Sequence, residues 1–491
     1  MQVYFTSVGE WLSESFVFSQ VLKELNGDNN TLDIVQVQQR RLNAFLSSLR
    51  EELIIIVETN YTDPVYSDSY KNLYVNKLKS YPKHCVRLSF FEPFCVSKDE
   101  FLQQPTSEVQ ERYLGFLVIR PLYNCVGRNA IDVRAKKEPW GGVLICKATI
   151  KSTCVGHKLW VRAFPHASQD AEHMSCAENS IWALLEYFGN KYAIYDPILP
   201  SEILSTLKDY KHDRLVPTSG LNYNQISILL KKRGFETKIY SYKDPDFQEI
   251  FSCYIESGLP LVTCIQGSKF GHAVVCIGRT DNLEIQNGDF EQVKIKDNIR
   301  NLCYWNRNVD TFVVNDDNFP SYKIINFQAP ASEYEQGKDA RITSFIVPLH
   351  EEIYLPAELA ISTTNVWIDL FGIDNCCIRT FLTTSRSYRR YIVNNNSFSL
   401  ENKQILLQVD MPKFVWISEY FGIESVQEGL AEGVFIMDAT SNTRSGSLDN
   451  ALIMAIHHGD ITMADRNVGY YVTDKHSNFP QEFERFIGNL K

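Results

Sequence analysis

Residues 174–189 read Met174-Ser175-Cys176-Ala177-Glu178-Asn179-Ser180-Ile181-Trp182-Ala183-Leu184-Leu185-Glu186-Tyr187-Phe188-Gly189. Ala177, Ile181, Leu184, Leu185 and Phe188 fall at i, i+4, i+7, i+8 and i+11, the spacing of one face of an amphipathic helix. Ser175 stands where an N-cap is needed, Glu178 follows in capping-box spacing, and Gly189 stands at the C′ position. Cys176 is therefore the first helical residue. Unpaired N–H groups and the helix dipole favour a thiolate there, which suits a nucleophile. The plainer reading is one more core thiol among 12 cysteines.

Downstream, Gly271-His272-Ala273-Val274-Val275-Cys276-Ile277-Gly278 predicts a short apolar strand with a histidine at its opening end. A strand holds an imidazole rigidly, as a general base requires. A third stretch, Thr311-Phe312-Val313-Val314-Asn315-Asp316-Asp317, is a strand running into polar residues. A carboxylate or amide there can receive the second imidazole N–H and fix the tautomer. Strict alternation puts Asn315 and Asp317 on one face and Asp316 on the other, and does not choose between them.

Taken together, these three stretches resemble the C39-like family of papain-fold cysteine peptidases. The run from Cys176 to Gly189 is similar to that family's C-G-P-A-S-x-A-M-x-L-x-Y-Y-G helix. GHAVVCIG resembles its G-H-x-V-V-V-x-G strand, and VVNDD its V-x-V-N-D-P strand. The resemblance covers about residues 165–325 and implies Cys176 as nucleophile, His272 as base and Asp316 as orienting acid. It also implies Gln169, seven residues before Cys176, as an oxyanion donor. Two departures stand out. Ala177-Glu178 replaces the family's Gly-Pro, and a polar insertion at 281–310 must loop out for the His and Asp strands to be neighbours. No G-x-x-x-x-G-K-[ST] motif accompanies the domain, so leader-peptide maturation during export is not expected.

The implied chemistry is hydrolysis of a peptide or amide bond in a protein or peptide substrate, with no cofactor and no metal. The same triad supports acyl transfer to an amine, as in transglutaminase-type chemistry, and a non-catalytic binding protein on a decayed peptidase fold is the rival from another class.

Around this centre the chain is long. Its 491 residues give a prior of about three domains at roughly 150 residues each. We expect an α+β protein: 1–163 of unknown role, a papain-like domain of helices packed on an antiparallel sheet at 164–330, and 331–491 of unknown role. Expected strands include Leu53-Ile54-Ile55-Ile56-Val57, 85–91, 114–121, 142–150, 236–240, 259–266, 342–348, 404–408, 413–417 and 433–438. Helices are expected near 31–50, 200–210, 222–233, 245–257, 449–457 and 479–490, and a polar loop at 439–448.

A net charge of −10 argues against nucleic acid or an anionic membrane as partner. Arg386, Arg389 and Arg390 in SRSYRRY interleave with tyrosines, but read as a solvated strand face. His166, His173, His457 and His458 lack metal-site spacing. No run approaches the ~18–20 apolar residues of a membrane span, and the start lacks a signal-peptide pattern. With no C-x-x-C pair, the cysteines read as reduced core thiols, and the expected location is cytoplasmic. The oligomeric state is not legible here.

Overall fold

The computed structural model describes residues 2–13, 16–27, 31–94, 97–137, 142–169, 176–206, 221–281, 284–441, 451–465, 470–474 and 478–490. It is mixed α and β, with several antiparallel sheets. The first is a meander of Val3–Ser7, Ile54–Tyr61, Cys85–Phe91, Tyr113–Ile119 and Val126–Ile131, each strand paired with the next. The unbroken apolar run at 53–57 has a direct cause. Ile55 and Val57 enter one hydrophobic cluster with Trp11, Leu42 and Phe45, while Ile54 and Ile56 enter another with Tyr66, Phe101 and Val161. Both faces of that strand are covered, so alternation of apolar and polar residues is absent.

The second sheet carries the stretches singled out above. Its order is Lys323–Asn326, Thr311–Asn315, Gly271–Thr280, Leu261–Gln266, Arg341–His350 and Phe235–Ser241, with Val143–Ile145 also on Gly271–Thr280. The His and Asp strands are thus direct neighbours. Hydrogen bonding crosses both expected boundaries, because 331–491 supplies Arg341–His350 and 1–163 supplies Val143–Ile145. Gly278 shows how tightly the latter docks. A Cβ on it would lie 2.1 Å from the Leu144 carbonyl oxygen.

The 281–310 insertion does loop out, as the hairpin Glu291–Ile295/Asn298–Tyr304. Its second strand pairs in parallel with Cys376–Thr384 and so begins the third sheet, which continues through Phe414–Phe421, Gly433–Asp438, Leu452–His457, Asp460–Asp465 and Tyr470–Asp474. Helix Phe247–Glu256 is buried along most of its length and belongs to the core that the second and third sheets share.

Several expectations are corrected. Residues 404–408 lie in the helix Leu400–Gln408, started by the Ser399 capping box, rather than in a strand. The described part of 449–457 is the strand Leu452–His457, paired on both edges, so sheet pairing overrides its helical pattern. The stretch 479–490 forms no helix. Phe483–Glu484 pairs with Leu430–Ala431, and the Phe486 N–H donates to Glu419. SRSYRRY opens the helix Ser385–Asn394, capped by Thr384, and is not a strand face. Residues 207–210 and 442–448 of the expected helix and loop lie outside the described residues. Among the described residues no helix is long and apolar enough to cross a membrane.

Candidate active site

The cysteine helix runs Cys176–Lys191 and begins at Cys176. Ser175 and His173 lie outside the described residues. The helix is not half-exposed as its spacing predicts; every residue from Ala177 to Phe188 is buried. Its polar side chains meet partners from earlier in the chain. Glu186 lies 3.4 Å from Arg128, and the Asn179 amide donates to the Ala167 carbonyl. Gly189 does not end the helix. A Cβ there would sit 2.4 Å from Pro197 N, so glycine serves the close approach of the returning chain.

The helix packs on the strand Gly271–Thr280, where the Ser180 hydroxyl donates to the Ala273 carbonyl at 3.1 Å, one residue from His272. The Cys176 thiol, partly exposed at the helix start, is one of the groups that raise the His272 imidazole. The other side of that ring is committed. His272 Nε2 lies 2.8 Å from Asp316 Oδ1, which leaves Nδ1 for the thiol.

Asp316 is itself held from several directions. The Tyr334 hydroxyl donates to it, 2.8 Å from each carboxylate oxygen, and the Asn318 backbone N–H donates to Oδ1 at 3.1 Å. Lys323 Nζ stands 3.5 Å from Oδ2. Burial opposes the charge on Asp316, yet the His272 hydrogen bond and charge, Lys323 and Tyr334 hold its pKa down at about 2. Burial likewise opposes a charged His272, but Asp316, the Cys176 thiol and the Asp317 charge raise it to about 10. The pair therefore favours imidazolium beside carboxylate, the state a thiolate partner needs.

The three polar residues ending the Asp strand separate by role. Asn315 faces away: its amide donates to the Pro165 carbonyl, and its oxygen accepts from the Tyr322 N–H, each at 3.1 Å. Asp317 lies 3.6 Å from His272 Nε2, on the same side as Asp316, because the strand ends at Asn315 and alternation stops there. Both Asp317 oxygens are buried without a hydrogen-bond partner. Burial first, with the Asp316 charge assisting and His272 opposing, pushes its carboxyl up to about 7.

Gln169 enters the same network. Its amide donates to Asn318 Oδ1 at 3.1 Å, and Asn318 holds Asp316. Tyr334, Lys323 and Asn318 were not singled out by sequence. Asn318 alone carried a local signal, as the turn partner of an Asp two residues earlier. His166 is buried beneath the site with Nε2 donating to the Asp316 carbonyl and Nδ1 accepting from Asn129. Burial lowers it to about 4, so it is neutral and structural.

His272, Asp316 and Asp317 each offer one ligand atom, all within 4.8 Å, and are the group with metal-ligand chemistry among the described residues. Asp316 has its oxygens engaged by Tyr334, Lys323, Asn318 and His272, which suits a hydrogen-bond relay better than an open coordination site.

No protein-family model matches this chain, and no curated protein matches it either.

Proposed function

We propose that this protein is a cysteine hydrolase of peptide or amide bonds, built on a papain-like arrangement of a cysteine helix against an antiparallel sheet. Cys176 attacks the carbonyl carbon as thiolate. His272 donates its proton from Nδ1 to the leaving amine and then takes a proton from water for deacylation. Asp316 keeps the imidazole in the tautomer and orientation that both steps require. The backbone N–H groups at the start of the Cys176 helix and the Gln169 amide are the donors for the tetrahedral oxyanion. One observation carries the reading: side chains from a helix start and two neighbouring strand ends converge as thiol, imidazole and carboxylate, with the carboxylate anchored on its far side.

All 11 described cysteines are free thiols, which supports a reducing compartment such as the cytoplasm. The test is cleavage of a peptide library by the full chain, read by mass spectrometry, beside Cys176→Ala. Cleavage that survives Cys176→Ala overturns the reading, as does a wild-type protein that never forms an acyl adduct on Cys176. Adding a primary amine separates hydrolysis from acyl transfer by the product formed.

A further inference from the structure

A cavity of about 840 Å³ opens beside the last strands of the chain, far from Cys176. Arg279 is on its wall, seven residues along the strand from His272, which places it roughly 20 Å away at about 3.3 Å per residue. The walls also include Trp305, Arg379, Arg390 and Arg485.

The buried carboxylates near this cavity are already spent. Glu256 binds both Arg279 and Arg379, with Arg379 Nη2 at 2.7 Å. Glu419 takes Arg379 Nη1 at 3.1 Å on one oxygen and the Phe486 N–H on the other. Asp281, at the rim, faces Arg279. Glu484 is exposed, and its backbone carbonyl, not its carboxylate, accepts from Tyr391 and Asn395.

Two guanidiniums are left over. Arg485 stacks on Trp305 and Phe421, 5.2 and 5.3 Å from the ring centres, and makes no ion pair among the described residues. Arg390 makes none either. It projects from the helix Ser385–Asn394, whose Ser387, Arg390, Tyr391 and Asn394 share one face at i, i+3, i+4 and i+7 on the cavity.

The orphaned buried groups have one polarity. Arg485 Nε and the indole N–H of Trp305, itself 5 % exposed, are both buried donors without an acceptor. Neither atom opens onto the cavity, so what faces a ligand there is the Arg390 guanidinium and the terminal nitrogens of Arg485, with no carboxylate left to pair them. Burial and then the Arg379 charge lower the Arg485 guanidinium, which Glu419 and Asp281 only partly offset.

We propose that this cavity binds an oxyanion, a phosphate or carboxylate group, between Arg485 and Arg390. The forked geometry of guanidinium suits either oxyanion, and the helix face from Ser387 to Asn394 adds neutral donors. The basic run SRSYRRY thus acquires a specific use: one of its arginines faces a cavity, while Arg389 is tied to the Val409 carbonyl.

The experiment is calorimetric titration of the full chain with inorganic phosphate and, separately, with succinate, at about 150 mM salt so that diffuse surface attraction is screened. Saturable binding of at least one is expected, and the stronger names the group. Arg485→Met, which retains the apolar stem over Trp305, should weaken it about tenfold or more. Arg390→Gln is exposed and leaves the fold untouched, and should weaken it several-fold. No saturable binding of either anion overturns the proposal, as does binding unchanged in Arg390→Gln and in a folded Arg485→Met. Neither result bears on Cys176.

Discussion

The Ser180 hydroxyl is bonded to the carbonyl of Ala273, and through that 3.1 Å contact the helix carrying Cys176 is fixed to the strand carrying His272. The proposed nucleophile and base come from segments nearly a hundred residues apart, so their separation depends on how the helix seats on the sheet. Ser180 is a positioning residue in this sense. Ser180→Ala should cost about 1 kcal/mol of stability, the worth of one buried hydrogen bond. It should also slow alkylation of Cys176 several-fold while leaving the other thiols unchanged. Equal slowing at every reactive thiol would point to general loosening and would remove the positioning role.

Cys176 should be the fastest-reacting thiol of the protein. Among the described cysteines only Cys176 and Cys264 are not fully buried, and burial pushes Cys264 up. Among them only Cys176 acts on an imidazole, raising His272. Iodoacetamide labelling followed by mass spectrometry should modify Cys176 first, and His272→Ala should slow that step about tenfold or more. Labelling of Cys176 no faster than Cys264 would contradict the pairing.

Asn315 and Asp316 should give opposite phenotypes. Asp316→Asn keeps the shape but removes the charge that holds His272 raised, so turnover should fall by two or more orders of magnitude with a modest change in stability. Asn315 instead bonds the Pro165 carbonyl and the Tyr322 N–H, both buried. Asn315→Ala leaves those groups unsatisfied and should cost about 1–3 kcal/mol in urea unfolding, while the residual folded protein retains its turnover per molecule. The reverse pattern would transfer the orienting role to Asn315.

How much of this was legible depended on how local the signal was. The Cys176 helix, the His272 strand and the Asn315 strand end are each written in contiguous residues, and the structure places all three together. Tyr334 and Lys323, which hold Asp316, lie beyond the strand that carries it, and no spacing rule links them to His272. The same limit explains the boundary near 330. Residues 341–350 read as a strand, but nothing local says they insert between Leu261–Gln266 and Phe235–Ser241. Polar residues on the Cys176 helix implied a wet face, whereas the remote Arg128 and the Ala167 carbonyl of the segment leading into the helix cover it. The strand at 452–457 and the extended tail at 483–486 were misread for a related reason. Their apolar spacing fits a helix, and only pairing decides otherwise: 452–457 with the neighbouring strands Gly433–Asp438 and Asp460–Asp465, and 483–484 with the remote Leu430–Ala431.

Asp317 gives a prediction whose sign follows from its burial. Its carboxyl is 4 % exposed, lacks a hydrogen-bond partner and is raised from 3.8 to about 7. Between those pH values the unfolded chain has released a proton that the folded chain retains. The folded state therefore loses stability as pH rises through that window, and the full penalty is present above about 7. Asp316 titrates outside it: lowered to about 2, it contributes stability above 3.8 that is lost only as pH falls further. Asp317→Asn removes a buried charge that His272 only partly neutralises, so the variant should be more stable than wild type by about 1–3 kcal/mol at pH 8. At pH 4.5, where wild-type Asp317 is largely protonated when folded, the difference should shrink toward zero. Urea unfolding of both proteins at the two pH values measures it. A variant that gains nothing at pH 8, or gains equally at both, would mean that Asp317 is ionised and compensated beside His272.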